Sequence, residues 1–133
     1  MGENDAAARA AELSNALKGF HRALIRAEIG DDPKLRNPYT QLFALIGDPR
    51  FAWMSGLSDL ITRIDHAIAE GEIGGPGALA ALHDEAAAFL GEGGREADAQ
   101  FRLRHLMALQ KEPEVGLATG VLRKTLAKLR EKE

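Results

Sequence analysis

The chain is 133 residues long, 45% hydrophobic and 28% charged, with a formal net charge of −3; that fits one domain with a buried core and lies outside the disordered range. The mildly acidic total argues against nucleic acid as the main ligand, because duplex binding relies on a concentrated basic face, and the lack of cysteine excludes disulfides, thiolate metal sites and thiol catalysis. No apolar run approaches the roughly 18 residues a membrane helix needs, and residues 1–11 lack the basic-then-apolar order of a secretory signal, so a cytoplasmic location is expected.

In chain order, Leu13, Leu17, Phe20 and Leu24 step by four, three and four. That spacing puts them on one face of a 3.6-residue repeat and predicts a first helix. Asn37-Pro38 and Asp48-Pro49 each place a capping side chain before a proline, which has a fixed φ and no N–H, so a helix starts at both. Residues 38–46 make a two-turn helix leading into the next. From Phe51 onward, Met54, Leu57, Ile61, Ile64 and Ile68 recur at three and four, with Trp53 and Leu60 widening the face. The window is far too long for a strand and shows no lasting period of two.

Gly71 and the glycine cluster at 74–77 end that helix, and an alanine-rich one over residues 76–90 carries Leu79, Leu82, Ala86 and Phe89 on one side. After the break at 91–94, residues 96–111 carry Phe101, Leu103, Leu106, Met107 and Leu109. Beyond Pro113, residues 114–130 carry Val115, Ala118, Leu122, Thr125 and Leu129. Gly116 and Gly120 either admit a close neighbour or weaken this last helix by roughly 1 kcal/mol each, and we adopt the weakening. Amphipathic helices joined by short loops pack as antiparallel neighbours. The expected fold is therefore all-α: one antiparallel bundle of about four to five helices, one preceded by a short helix, over residues 1–133, with frayed ends at about 1–8 and 130–133.

Charge is segregated. Residues 65–100 carry eight acids against Arg95 alone, whereas residues 101–133 carry eight Lys/Arg against four acids. The two blocks would attract each other or a partner, and the basic tail leaves contact with nucleic acid or an acidic partner as a minor reading.

Four histidines, His21, His66, His83 and His105, fall on four helices. Bundles build di-metal sites from inward His and Glu in paired motifs such as Glu-x-x-His, and that pairing is missing. Instead, His21 has Glu28 seven residues on, and the adjacent Asp65 and His66 point about 100° apart around a helix. His21, Glu28, Asp65 and His66 are the candidates should a metal or small ligand bind; no other cofactor is expected. A Ser58/Asp65/His66 cluster is arithmetically available, but no strand-to-helix elbow frames Ser58 and the glycine clusters lack the Lys-Ser/Thr of a phosphate loop. Catalysis is therefore not expected. Glu28 and Asp65 flank apolar positions, where a carboxylate needs arginine or backbone donors; Arg22, Arg26, Arg63 and Arg104 are the candidate partners, and such a pair would fix helix register. Tyr39, Phe43, Phe51 and Trp53 cluster within fifteen residues. Trp53 reads most simply as core, and if the short helix leaves Tyr39 and Phe43 exposed, this region is the candidate partner-binding surface.

The stretch NPYTQLFALIGDPRFAWM followed by LSDLITRIDHA, with FHRALIRAE in the first helix, resembles a family of small uncharacterised bacterial proteins. They share an Asp-Pro-x-Phe-Ala-Trp segment followed by a Leu-Ser-rich helix ending near Ile-Asp. The resemblance covers roughly the first half of the chain and implies a helical bundle without an assigned activity. Met54-Ser55-Gly56 stands where the family would have Leu-Arg-Pro, so no role of that arginine transfers. The leading expectation is a non-enzymatic cytoplasmic bundle acting through protein contacts, a homodimer included. The alternative is a bundle holding a metal or small ligand on inner His and carboxylate groups.

Overall fold

The computed structural model describes residues 3–91 and 99–131. Among these residues all regular structure is helical: α1 (Glu3–Ile29), α2 (Pro38–Gly47), α3 (Ser55–Ala69), α4 (Pro76–Ala88), α5 (Ala99–Lys111) and α6 (Pro113–Glu131). Two short 3₁₀ segments, Pro33–Leu35 and Pro49–Met54, flank α2.

The long helix α1 is the axis of the bundle and packs against α3, α4, α5 and α6. Its expected stripe of Leu13, Leu17, Phe20 and Leu24 is fully buried, each such side chain contributing roughly 1.5–3 kcal/mol. The stripe runs further toward the N-terminus than expected, because Ala6, Arg9 and Ala10 are also buried; Arg9 reaches the backbone carbonyl of Leu129. Small residues on α1, such as Ala16, Ala23 and Ala27, leave room for neighbours on more than one side.

Polar contacts set the directions of the helices. Glu12 pairs with Lys128 at one end of α1, and Arg26 with Glu114 at the other, so α6 runs antiparallel to α1. Ser14 donates to Asp65 of α3, Arg63 of α3 pairs with Glu85 of α4, and His105 of α5 bonds Thr119 of α6. Gly30 and Gly71 close α1 and α3 with φ of 52° and 67°, a left-handed conformation that a β-carbon disfavours.

Two expectations need correction. Pro49 starts a 3₁₀ segment, capped by Asp48 on the Arg50 N–H, with α3 beginning at Ser55. The tighter winding eclipses positions three apart, which sends both Phe51 and Met54 into the core. On α5 the inner face is Phe101, His105 and Ala108, whereas Leu103, Leu106 and Met107 lie outside at 59%, 55% and 46% exposure. A histidine takes a place on the inner face, and three of the five apolar side chains expected on this helix turn outward. The expected first turn of this helix, residues 96–98, lies outside the described residues.

In α6, Gly120 is exposed, and a β-carbon added there would meet nothing within 4 Å. Gly120 therefore admits no close neighbour and only loosens the helix. Gly120→Ala is expected to raise stability by about 1 kcal/mol, read as a higher urea midpoint.

Candidate functional site

Between Gly30 and Phe51 the chain carries α2 on an excursion that is tied to the core by Leu35, Ala44 and Leu45 and whose base is held by Arg50. The Arg50 Nη1 donates to Asp32 Oδ2 at 2.9 Å and Nη2 to the Glu28 carbonyl, while Nε stands 3.5 Å from the Glu28 carboxylate. That carbonyl is among the last of α1, which lack intrahelical donors, and a cation there also meets the negative end of the helix. The hydrogen bond from Arg50 is the main reason the Asp32 carboxyl is held below its ordinary value.

The segment Asp48-Pro49-Arg50-Phe51-Ala52-Trp53 thus has a structural reading. Asp48 caps, Pro49 starts the turn, Arg50 clasps α1, Phe51 enters the core, and Trp53 tilts against Phe101 with ring centres 5.2 Å apart. Arg50→Met is expected to raise amide hydrogen exchange across residues 33–48 while leaving α1 and α6 protected. Uniform loss of protection would show instead that Arg50 supports the whole bundle.

No residue of α2 is buried. Its inner side, Gln41, Ala44 and Leu45, is half-covered, with the Gln41 amide donating to the Leu35 carbonyl at 3.2 Å. The outer side carries Tyr39, Leu42, Phe43 and Ile46, exposed by 75%, 53%, 72% and 77%. These positions, spaced i, i+3, i+4 and i+7, fall within an arc of about 100°. A globular helix ordinarily turns such a stripe to the core; α2 turns it to solvent, and residues 37–47 carry no charge to soften it.

Beneath α2 lies a groove against α1 and α3. One part, about 530 Å³, is lined by Lys18, His21, Arg22, Gln41, Ser58 and Thr62 among others. A second part, about 830 Å³, opens beside Ile46, Pro49, Phe51 and Met54. His21, Leu45, Ser58 and Thr62 line both. Burial pushes the His21 imidazole below its ordinary pKa, favouring its neutral form in the groove.

The four ligand candidates do not gather. His21 lines this groove, while Glu28 belongs to the Arg50 clasp. Asp65 accepts from Ser14 Oγ at 2.6 Å and pairs with Lys18 at 2.9 Å; these contacts, the Ser14 hydroxyl foremost, lower its pKa. His66 is exposed on α3. Among the described residues no group of three or more His, Asp or Glu is arranged to hold a metal ion. The arginine partners also differ from expectation: Glu28 pairs with Arg50, and Asp65 with a lysine and a serine. Arg26 and Arg63 serve Glu114 and Glu85.

The other two histidines are buried structural groups. His83 Nε2 lies 2.8 Å from the Leu126 carbonyl, which can only accept, so Nε2 carries the proton. His105 Nε2 is 2.9 Å from Thr119 Oγ1. Because that hydroxyl donates to the Val115 carbonyl at 2.7 Å, it must accept from His105.

The aromatic segment divides. Tyr39 and Phe43 are exposed as the interface reading requires, while Phe51 is 4% exposed and Trp53 is packed against the core; these two are not surface anchors. Leu42 and Ile46 complete the outer stripe and were missed, although their spacing from Tyr39 and Phe43 would have revealed them. Among the described residues no helix is long and apolar enough to cross a membrane. No protein-family model, curated protein or solved structure matches the chain.

Proposed function

We propose that this chain is a cytoplasmic, non-enzymatic helical module that acts by contact, docking a protein on the outer face of α2. The observation that carries the reading is the orientation of Tyr39, Leu42, Phe43 and Ile46. Four large apolar side chains, each more than half exposed, form one contiguous stripe on an uncharged helix. Left in water, such a stripe forgoes the stabilisation that burial supplies, and its spacing is that by which amphipathic helices enter partner surfaces. The clasp at Arg50 supports the reading, since it holds the ends of the excursion without drawing the stripe inward. We likewise retain the proposed kinship with small bacterial helical proteins, because its shared Asp-Pro-x-Phe-Ala-Trp segment is the one that builds this clasp.

The test is a photoreactive amino acid introduced at Phe43 in cells producing the full chain, beside a control at the exposed Glu72 of the opposite region. Covalent protein adducts at position 43 and none at 72 are expected. If position 43 yields none, the docking reading fails.

A second reading has the groove at His21 hold a small ligand. The specific observation favouring it is the cavity lined by Lys18, Arg22 and the His21 imidazole, whose neutral form burial favours. Silent calorimetric titrations with small organic anions and with zinc, iron and manganese would remove it.

A further inference from the structure

Resting on the docking reading above, we infer that the occupant of the α2 face is a second copy of this chain, packed antiparallel about a two-fold axis between Leu42 and Phe43. The first argument is self-complementarity. A two-fold contact requires one patch to match itself, and the stripe does so about its own centre. Placing the axis between Leu42 and Phe43 sets Leu42 against the partner's Phe43 and Tyr39 against the partner's Ile46. Each end then meets a large side chain with a large side chain, over a stripe about 10 Å long. A parallel pairing would stack Tyr39 on the partner's Tyr39 and Ile46 on the partner's Ile46, leaving the charges at each end facing their own kind.

Charge is the second argument. Residues 37–47 are uncharged, so nothing opposes close approach of the two helices. Arg36, at the N-terminal end of α2, is exposed and makes no ion pair among the described residues. Asp48, at the other end, is exposed and uses one carboxylate oxygen to cap the Arg50 N–H. The antiparallel register brings Arg36 to the partner's Asp48 at both ends, while the parallel one puts Arg36 beside the partner's Arg36. Opposite charges at the rim select orientation more than they add affinity.

Area agrees. With the two aromatic side chains of each stripe burying roughly 150–250 Å² each, and Leu42 and Ile46 adding to them, the interface is on the order of 1,000 Å² over both chains, the lower bound for a specific interface. The dimer is therefore weak and concentration-dependent.

Sedimentation equilibrium of the full chain from about 5 µM to about 1 mM is expected to show monomer giving way to dimer. Phe43→Glu, which sets a charge against the partner's Leu42 and brings two like charges diagonally beside the axis, should abolish dimerisation with an unchanged far-ultraviolet circular dichroism spectrum, because Phe43 is 72% exposed. Leu117→Glu, at an exposed apolar site on α6, should leave the dimer intact. Since the chain has no cysteine, register is read directly by oxidation: Tyr39→Cys with Ile46→Cys should cross-link two chains, and Tyr39→Cys alone should not. A strict monomer at the highest concentration, loss of the dimer by Leu117→Glu instead of Phe43→Glu, or cross-linking of Tyr39→Cys alone would each overturn the inference. A monomer whose position 43 photo-crosslinks in cells to proteins of other masses overturns the second copy but spares the docking reading; no adducts at all end both.

Discussion

Phe101→Ala is expected to destabilise the fold by about 3–5 kcal/mol, the loss typical of a buried phenylalanine truncated to leave a cavity. Phe101 is 1% exposed and sits where four elements meet. Its ring lies 4.9 Å from Phe89, 5.2 Å from Trp53, 6.2 Å from Phe20 and 6.3 Å from the His105 imidazole. Truncation therefore removes not only transfer energy but the ring contacts tying α1, α5, the Pro49–Met54 segment and the end of α4 together. Against a total stability of about 5–15 kcal/mol, the midpoint of thermal unfolding should fall by roughly 10–20 °C. Leu103→Ala, two residues on and 59% exposed, is the matched control and should change stability by less than about 0.5 kcal/mol. Equal losses at the two positions would mean that α5 is rotated from the orientation described.

Acidification from about pH 7.5 to about pH 5 is expected to lower the thermal midpoint, with His105 as a principal cause. Its imidazole is buried among Phe20, Phe101 and Thr119. Burial first, and the nearby Arg123 charge second, push its pKa below the ordinary 6.5; His21 is shifted in the same direction by burial. In the unfolded chain these groups take up protons as the pH falls through 6.5, while in the folded protein they resist until the pH is lower. The unfolded state then binds more protons, so the stability present above about pH 6.5 drains away as pH falls through the interval down to the folded values. Protonation would also add an N–H donor at Nδ1, and a charge, to a ring whose surroundings include two phenylalanines and a cationic arginine. The lowered carboxyls of Asp32 and Asp65 contribute in the same direction, but only at a pH below the carboxylate's ordinary 3.8. His105→Leu should therefore flatten the profile between pH 7.5 and 5, a window in which those two carboxyls stay ionised. Thr119 can still donate to the Val115 carbonyl in that variant. A pH dependence unchanged by the substitution would assign the effect elsewhere.

Much of the architecture was legible in the residues. The stripes of α1 and α3 are core in the structure because three- and four-residue spacing has one helical solution, and Asn37 and Asp48 cap as expected because a side-chain oxygen before a proline has backbone N–H groups within reach. The candidate site was half legible. Tyr39 and Phe43 were singled out, but Phe51 and Trp53 were grouped with them, since closeness in sequence cannot tell which aromatic rings a 3₁₀ turn will carry inward. Asp65 was assigned a partner among arginines; its actual partners, Ser14 and Lys18, come from a helix some fifty residues away and are ordinary polar surface in the pattern.

What the amino-acid order determined by itself is therefore local: which segments coil, the capping at Asn37 and Asp48, and the apolar spacing along each segment. Which way a stripe faces was decided by tertiary structure alone. Periodicity specifies a face but not its neighbour, so α2 and α5 present apolar side chains to solvent while a histidine fills the inner seam of α5. Packing could settle this as it did because Phe20, Phe101 and Thr119 surround and satisfy that imidazole, and because the Arg50 clasp joins the two ends of the excursion that carries α2, leaving its oily side uncovered.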